Sequence, residues 1–290
     1  MASTATSQAS AKYDLFVFGD SLSDIGNLYQ KTNQTFPPSP PNFNGRLTNG
    51  AVAVENLAQQ LGLPISLNTD FAIVGARTDR TNVLDNGNFK PGGLLDEIDQ
   101  FKANATNLGA GAEDIYVVWA GANDFLKLLS TPPADPATVI SEGVKNIVSS
   151  VNTLIASGAK NILVAELPNL GLTPLLVSKG QDQVKAITNL TQQFNAALIT
   201  ALNGIKSSAP NSNIILSDTF KASNAVAANP SAFGFTNITD SLLKNLPVPN
   251  PSEYFFWDDF HPTTQGHNVF ANLFHSDLVN GITDAIDRKG

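Results

Sequence analysis

The sequence predicts an α/β fold: a three-layer α/β/α sandwich with about five parallel strands. Three observations predict it. Short runs of consecutive apolar residues, such as Leu15-Phe16-Val17-Phe18 and Ile115-Tyr116-Val117-Val118-Trp119, read as strands buried on both faces, as inside a parallel sheet. Between such runs lie stretches of ten or more residues with apolar positions at helical spacing, which implies parallel βαβ units. The runs also end in glycine and small polar residues, at the edge where open α/β sheets bind ligands.

Residues 1–12 are Ala, Ser, Thr and Gln with one Lys and lack the apolar stretch of a signal peptide, so they predict a disordered leader. A single domain is expected over residues 13–290, since no internal repeat or linker interrupts it. Compartment stays open; a secreted or periplasmic protein whose signal has been removed fits this leader. The first strand, Leu15 to Phe18, runs into Gly19, which permits a sharp turn that throws out Asp20 and Ser21. Thr35-Phe36-Pro37-Pro38-Ser39-Pro40-Pro41 is too rich in proline for helix or interior strand and predicts a loop over the carboxyl edge of the sheet.

A helix is expected from Ala51 to Leu61, with Val54, Leu57, Ala58 and Leu61 in register, closed by Gly62 and Pro64. Phe71 to Val74 is another apolar run, ending at Gly75, and residues 79–93 read as an irregular loop. Leu94 to Phe101 predicts a helix with Leu94, Leu95, Ile98 and Phe101 on one side. Ile115 to Trp119 is the clearest buried strand, stopped by Ala120-Gly121-Ala122-Asn123-Asp124. Then follow a helix from Pro136 to Ala156, a strand from Ile162 to Ala165 broken by Pro168, and a helix from Val184 to Ile205. The last strand is Ile214 to Leu216, residues 222–250 are expected to be a pocket-shaping loop, and a terminal helix runs from Thr264 to Ile286.

Composition bounds the function. At 290 residues, with 42% hydrophobic and 14% charged, the chain can bury a large core. Lys and Arg number 17 against 25 Asp and Glu, and the net charge of −8 argues against nucleic acid or an anionic membrane surface as partner. No apolar run approaches the ~20 residues of a spanning helix. With no cysteine, disulfides, thiolate catalysis and Cys-ligated zinc are excluded.

Ser21 is either a helix cap or a nucleophile. A serine hydroxyl needs a base, most often histidine, and the imidazole needs a carboxylate on its other nitrogen. Of three histidines, His267 and His275 fall within the terminal helix pattern. His261 alone combines a loop, a carboxylate three residues before it (Asp258) and a following proline, although Asp259 competes for that role. Developing oxyanion charge needs donors fixed in advance, which the N–H groups of Ser21 and Gly75 and the amide of Asn123 could supply. Taken singly, Gly75 reads as a turn glycine and Asn123 as a cap. Such chemistry requires no metal or organic cofactor.

Gly19-Asp20-Ser21-Leu22-Ser23-Asp24, Gly75, Gly121-Ala122-Asn123-Asp124 and Asp258-Asp259-Phe260-His261 together resemble the four ordered blocks of the GDSL, or SGNH, hydrolase family. Gly45-Arg46-Leu47-Thr48-Asn49-Gly50 and the segment from Leu167 to Pro174 resemble its lipase-like members as well. The resemblance implies a flavodoxin-like fold and a serine hydrolase cleaving small-molecule carboxylic esters, of the esterase or lipase type, through an acyl-enzyme. It implies Ser21 as nucleophile, Asp258 and His261 as the other triad members, and Ser21, Gly75 and Asn123 as the oxyanion hole. One departure is that Val74-Gly75-Ala76 keeps one glycine where such members usually show two, with Arg77 just beyond. The Gly-x-Ser-x-Gly motif of α/β-hydrolases is absent at Ser21. A carbohydrate O-deacetylase, an acyltransferase on the same site and an acyl-ligand binding module are the alternatives. Asp20 is expected to be structural, Arg46 to meet a loop carboxylate or a substrate acid, and Tyr254 to Trp257 to be core or pocket wall.

Overall fold

Four strands, β1 (Leu15–Gly19), β2 (Ile115–Trp119), β3 (Asn161–Ala165) and β4 (Asn213–Ser217), form one parallel sheet in the order β1-β2-β3-β4. They are seen in a computed structural model that describes residues 13–129, 134–248 and 250–287; the leader expected over residues 1–12 lies outside these. Registers are unbroken, from Leu15 beside Ile115 to Ala165 beside Ser217. Every carboxyl end therefore reaches the same edge.

The fifth apolar run lies along the free side of β1 without forming a regular strand. Val17 N–H donates to Thr69 O (3.0 Å), and Phe71 N–H and Ile73 N–H donate to Val17 O (2.8 Å) and Gly19 O (3.0 Å), a parallel pattern bridging Val17 and Asp70. Its outer edge is closed by one side chain: the Asn27 amide donates to Asp70 O and Ala72 O, at 2.8 and 3.0 Å. Sealing those carbonyls blunts an edge that could otherwise pair with another chain.

The continuous apolar runs are explained by two covered faces. Phe16, Phe18, Tyr116, Val118, Ile162, Val164 and Ile214 point into one layer, and Leu15, Val17, Ile115, Val117, Trp119, Leu163 and Ile215 into the other. The first layer is covered by α2 (Leu94–Asn104), α3 (Pro136–Ala156) and α4 (Gln181–Ser208). The second is covered by α1 (Ala53–Leu61) and the terminal helix α6 (Thr264–Asp287). Local chemistry sets the starts: Asp135 accepts from Thr138 N–H ahead of Pro136, as an N-cap before a first-turn proline does.

Residues 222–250 are not the loop the sequence predicts. A helix, α5 (Thr219–Ala228), is capped by Asp218 and is followed by β5 (Asn237–Ser241), which pairs in parallel with β6 (Tyr254–Phe256). The apolar spacing is too sparse there to signal either element. The segment still walls the pocket, through Ser223, Val226, Ala227 and Ile238.

Candidate active site

Ser21 sits in a tight turn directly beyond β1. Ser23 N–H and Asp24 N–H both donate to Asp20 O (3.0 Å), and Leu22 N–H donates to Asp20 Oδ1 (3.1 Å), so Asp20 takes the structural place expected of it. Gly19 is required because a Cβ there would collide with the Trp119 carbonyl of β2. Burial pushes the Asp20 carboxyl up to about 7, against the opposing pull of the Leu22 N–H and of His261.

Asp24, buried and given no role of its own by the sequence argument, organises the neighbouring loops. Its carboxylate accepts from Gly26, Asn27 and Leu28 N–H and also from Val74 N–H (2.8 Å), the residue before Gly75. Gly75 has φ 80°, and a side chain there would strike Asn82 and Val83, so glycine is the residue this backbone admits. Its N–H enters no hydrogen bond among the described residues. The third segment is tied to the second twice over: Asn123 Nδ2 donates to Ala76 O (3.0 Å), and Asp124 accepts from Thr78 N–H (2.9 Å) and Thr78 Oγ1 (2.8 Å). An amide has two hydrogens, so Asn123 keeps one beyond this bond. Val74 occupies the place of the missing glycine and its side chain lines the cavity, while Arg77 turns away to Thr81 Oγ1 and Asn82 O.

His261 is presented by a loop clamped at its base. Thr263 N–H donates to Phe255 O (2.8 Å) and Trp257 N–H to His261 O (2.7 Å), while Asp258 Oδ1 accepts from Phe260 and His261 N–H. The same carboxylate meets His261 Nδ1 at 2.8 and 2.9 Å, and His261 Nε2 lies 2.8 Å from Ser21 Oγ. Holding the proton on Nδ1 leaves the Nε2 lone pair facing the hydroxyl, which can donate to it. Burial alone would lower the imidazole, but the charge and hydrogen bond of Asp258, with the charge of Asp20, hold it above its ordinary value. Asp258 is held below the usual carboxylate range: burial opposes this, and His261 with the two N–H groups outweighs it. Asp259 faces away and pairs with Lys244 at 2.5 Å. Arg46 pairs through two nitrogens with Glu55, a first-turn residue of α1 rather than a loop carboxylate.

Ser21, Gly75, Asn123 and His261 all line one cavity of about 280 Å³. The rest of its wall is mostly apolar, including Leu22, Val74, Leu126, Leu170, Phe256 and Phe260. Phe255, Phe256 and Trp257 are buried, and the first two are pocket wall. Besides Asp24, two residues escape the sequence argument, Thr78 and Glu97. The second carries a legible signal, an acidic residue on the apolar stripe of Leu94, Ile98 and Phe101.

Comparison with known proteins adds four findings. A family profile described as GDSL-like Lipase/Acylhydrolase matches residues 15–274. A GDSL esterase/lipase of Arabidopsis thaliana is 27% identical over 89% of this chain and 85% of its own. A phosphatidylcholine-sterol acyltransferase of Aeromonas hydrophila is 28% identical over 82% of this chain and 67% of its own. Among solved structures, a variant of an acetyl xylan esterase from Geobacillus stearothermophilus superposes with TM-score 0.51 at 16% identity, covering 93% of this chain and 95% of that one. That likeness is one of fold.

Proposed function

This chain belongs to the GDSL-like lipase/acylhydrolase family, and from that premise we propose that it hydrolyses carboxylic esters through an acyl-enzyme on Ser21. The observation that carries this reading is the continuous chain of hydrogen bonds from Asp258 through His261 to Ser21 at an apolar cavity. Ser21 Oγ attacks the ester carbonyl carbon while its proton passes to His261 Nε2. The N–H groups of Ser21 and Gly75 and the free amide hydrogen of Asn123 receive the negative charge on the carbonyl oxygen. The carbon–oxygen bond to the alcohol then breaks, and the departing oxygen takes the proton from His261. Water repeats the sequence on the acyl-enzyme, His261 accepting its proton and returning it to Ser21 as the carboxylic acid leaves.

Support for the oxyanion role comes from supply: Gly75 N–H is unspent, and the Asn123 amide is fixed by Ala76 with one hydrogen left over. Both are uncharged, so neither places a cation beside the imidazolium. The test is Ser21→Ala with a short p-nitrophenyl ester and a fluorophosphonate label. Turnover and labelling are expected to vanish while the circular dichroism spectrum and thermal midpoint stay those of the wild type. Hydrolysis that survives the substitution overturns the scheme.

A further inference from the structure

We propose that Glu97 is a positioning residue for this reaction, an uncharged carboxyl set into the sheet to hold the turn that presents Ser21. The proposal rests on the reading of Ser21 as nucleophile. In the parallel ladder beside β1, the bonds already made by Val17 and Gly19 O dictate that Gly19 N–H should donate to Phe71 O. It does not. Gly19 N–H donates instead to Glu97 Oε2 at 2.7 Å, from the first turn of α2, 78 residues away. The carboxyl is wedged into the ladder, which is why the apolar run from Phe71 makes an irregular fifth strand. It acts on the last residue of β1, two positions before Ser21.

The two oxygens of Glu97 are not equivalent. Oε2 has the Gly19 N–H, whereas Oε1 is buried and has no partner among the described residues. An ionised carboxylate shares its charge over both oxygens, and a sealed, unpaired one is strongly disfavoured. The ionisable groups acting on it are all acidic: Asp70 from the edge segment, and Asp20 and Asp24 from the turn. Burial raises Asp24 as well, and Asp70 well above its ordinary value, but each accepts from at least two backbone N–H groups that oppose the rise, and Asp20 lies at the cavity beside His261. Among the described residues, Glu97 has one N–H partner and no cation. The helix N-terminus beneath it favours an anion, but that effect is small beside the cost of burying a charge. Burial accordingly raises its carboxyl well above the ordinary range. A neutral carboxyl still offers its carbonyl oxygen to Gly19.

Kinetics of Glu97→Gln and Glu97→Leu, beside Ser21→Ala as the control for the nucleophile, decide the matter. Glutamine keeps the acceptor and the neutral charge; leucine keeps bulk but leaves the Gly19 N–H without a partner. Glu97→Leu is expected to lower kcat about 10- to 100-fold with KM within about twofold, the mark of a displaced reacting group. Glu97→Gln should restore kcat to within about threefold of wild type. At pH 7, the infrared difference spectrum of wild type against Glu97→Gln should contain a protonated carboxyl stretch. Where the leucine variant does not fold, Glu97→Asp, which withdraws the carboxyl by one methylene, takes its place with the same expected fall. Wild-type kcat in the leucine or aspartate variant overturns the positioning role. A glutamine variant as slow as leucine, or a carboxylate band in place of the protonated one, overturns the neutral state. Turnover surviving Ser21→Ala would instead remove the reading beneath the proposal.

Discussion

At the scale of single residues, the proposed chemistry turns on one imidazole held in one tautomer. His261 must be neutral to accept the Ser21 proton. Its folded value is raised, so kcat/KM should fall as pH drops through a point above the ordinary imidazole range. Asp258→Asn removes the larger influence that raises it and leaves the weaker pull of Asp20 against the lowering effect of burial. The acid limb of the profile should then move to lower pH, while kcat falls by about 10⁴-fold because the tautomer is no longer fixed. A pH–rate series on both proteins measures the shift; an acid limb that stays put or rises contradicts the pairing. The candidate residues are legible in the sequence by type and order, since Ser21, Gly75 and Asn123 each end an apolar run. Thr78 and Asp24 are not legible, because what they do is tie separate loops together through backbone N–H groups.

At the scale of elements, the terminal helix shows how a buried polar group sets acid stability. His267 on α6 is buried, its Nδ1 has no partner among the described residues, and burial, helped by the nearby His261, lowers it to about 3. The unfolded chain takes up that proton near 6.5, the folded chain only near 3. Its contribution is therefore complete above pH 6.5 and is lost as pH falls towards 3, at about 1.4 kcal/mol per pH unit. Urea unfolding of wild type and His267→Gln should show the stability difference shrinking by that slope between pH 6 and 4. A difference independent of pH would mean that the imidazole is charged or solvated in the fold. Helix packing is one of the explanations the sequence allows for His267; its charge state follows only from what covers it.

At the scale of the whole molecule, the cavity sets what the site can hold. With a wall mostly of Leu, Val and Phe side chains, it rewards apolar substrate surface, at about 0.8 kcal/mol for each methylene buried. In a series of p-nitrophenyl esters, kcat/KM for hexanoate should exceed that for acetate by at least about tenfold. Acetate preferred over every longer chain would contradict an acyl-binding role for this wall and favour a deacetylase. The net charge of −8 bears on the same surface: neutral esters fit it better than anionic ones.

The sequence by itself determined the α/β class, the parallel strands, most helices within a few residues and the family, because apolar periodicity and four ordered blocks are local signals that survive without contacts. It did not show that residues 222–250 fold into a helix and a strand, or that the fifth strand is interrupted. Those outcomes depend on what packs where: a short element with sparse apolar spacing is stabilised by the wall it joins, and one carboxyl from a helix displaces a ladder bond 78 residues away. The resemblance already favours Asp258 over Asp259, but only the tertiary structure shows the physical reason: adjacent residues in a turn point in different directions, and the rival is drawn off by Lys244 while Asp258 meets the imidazole.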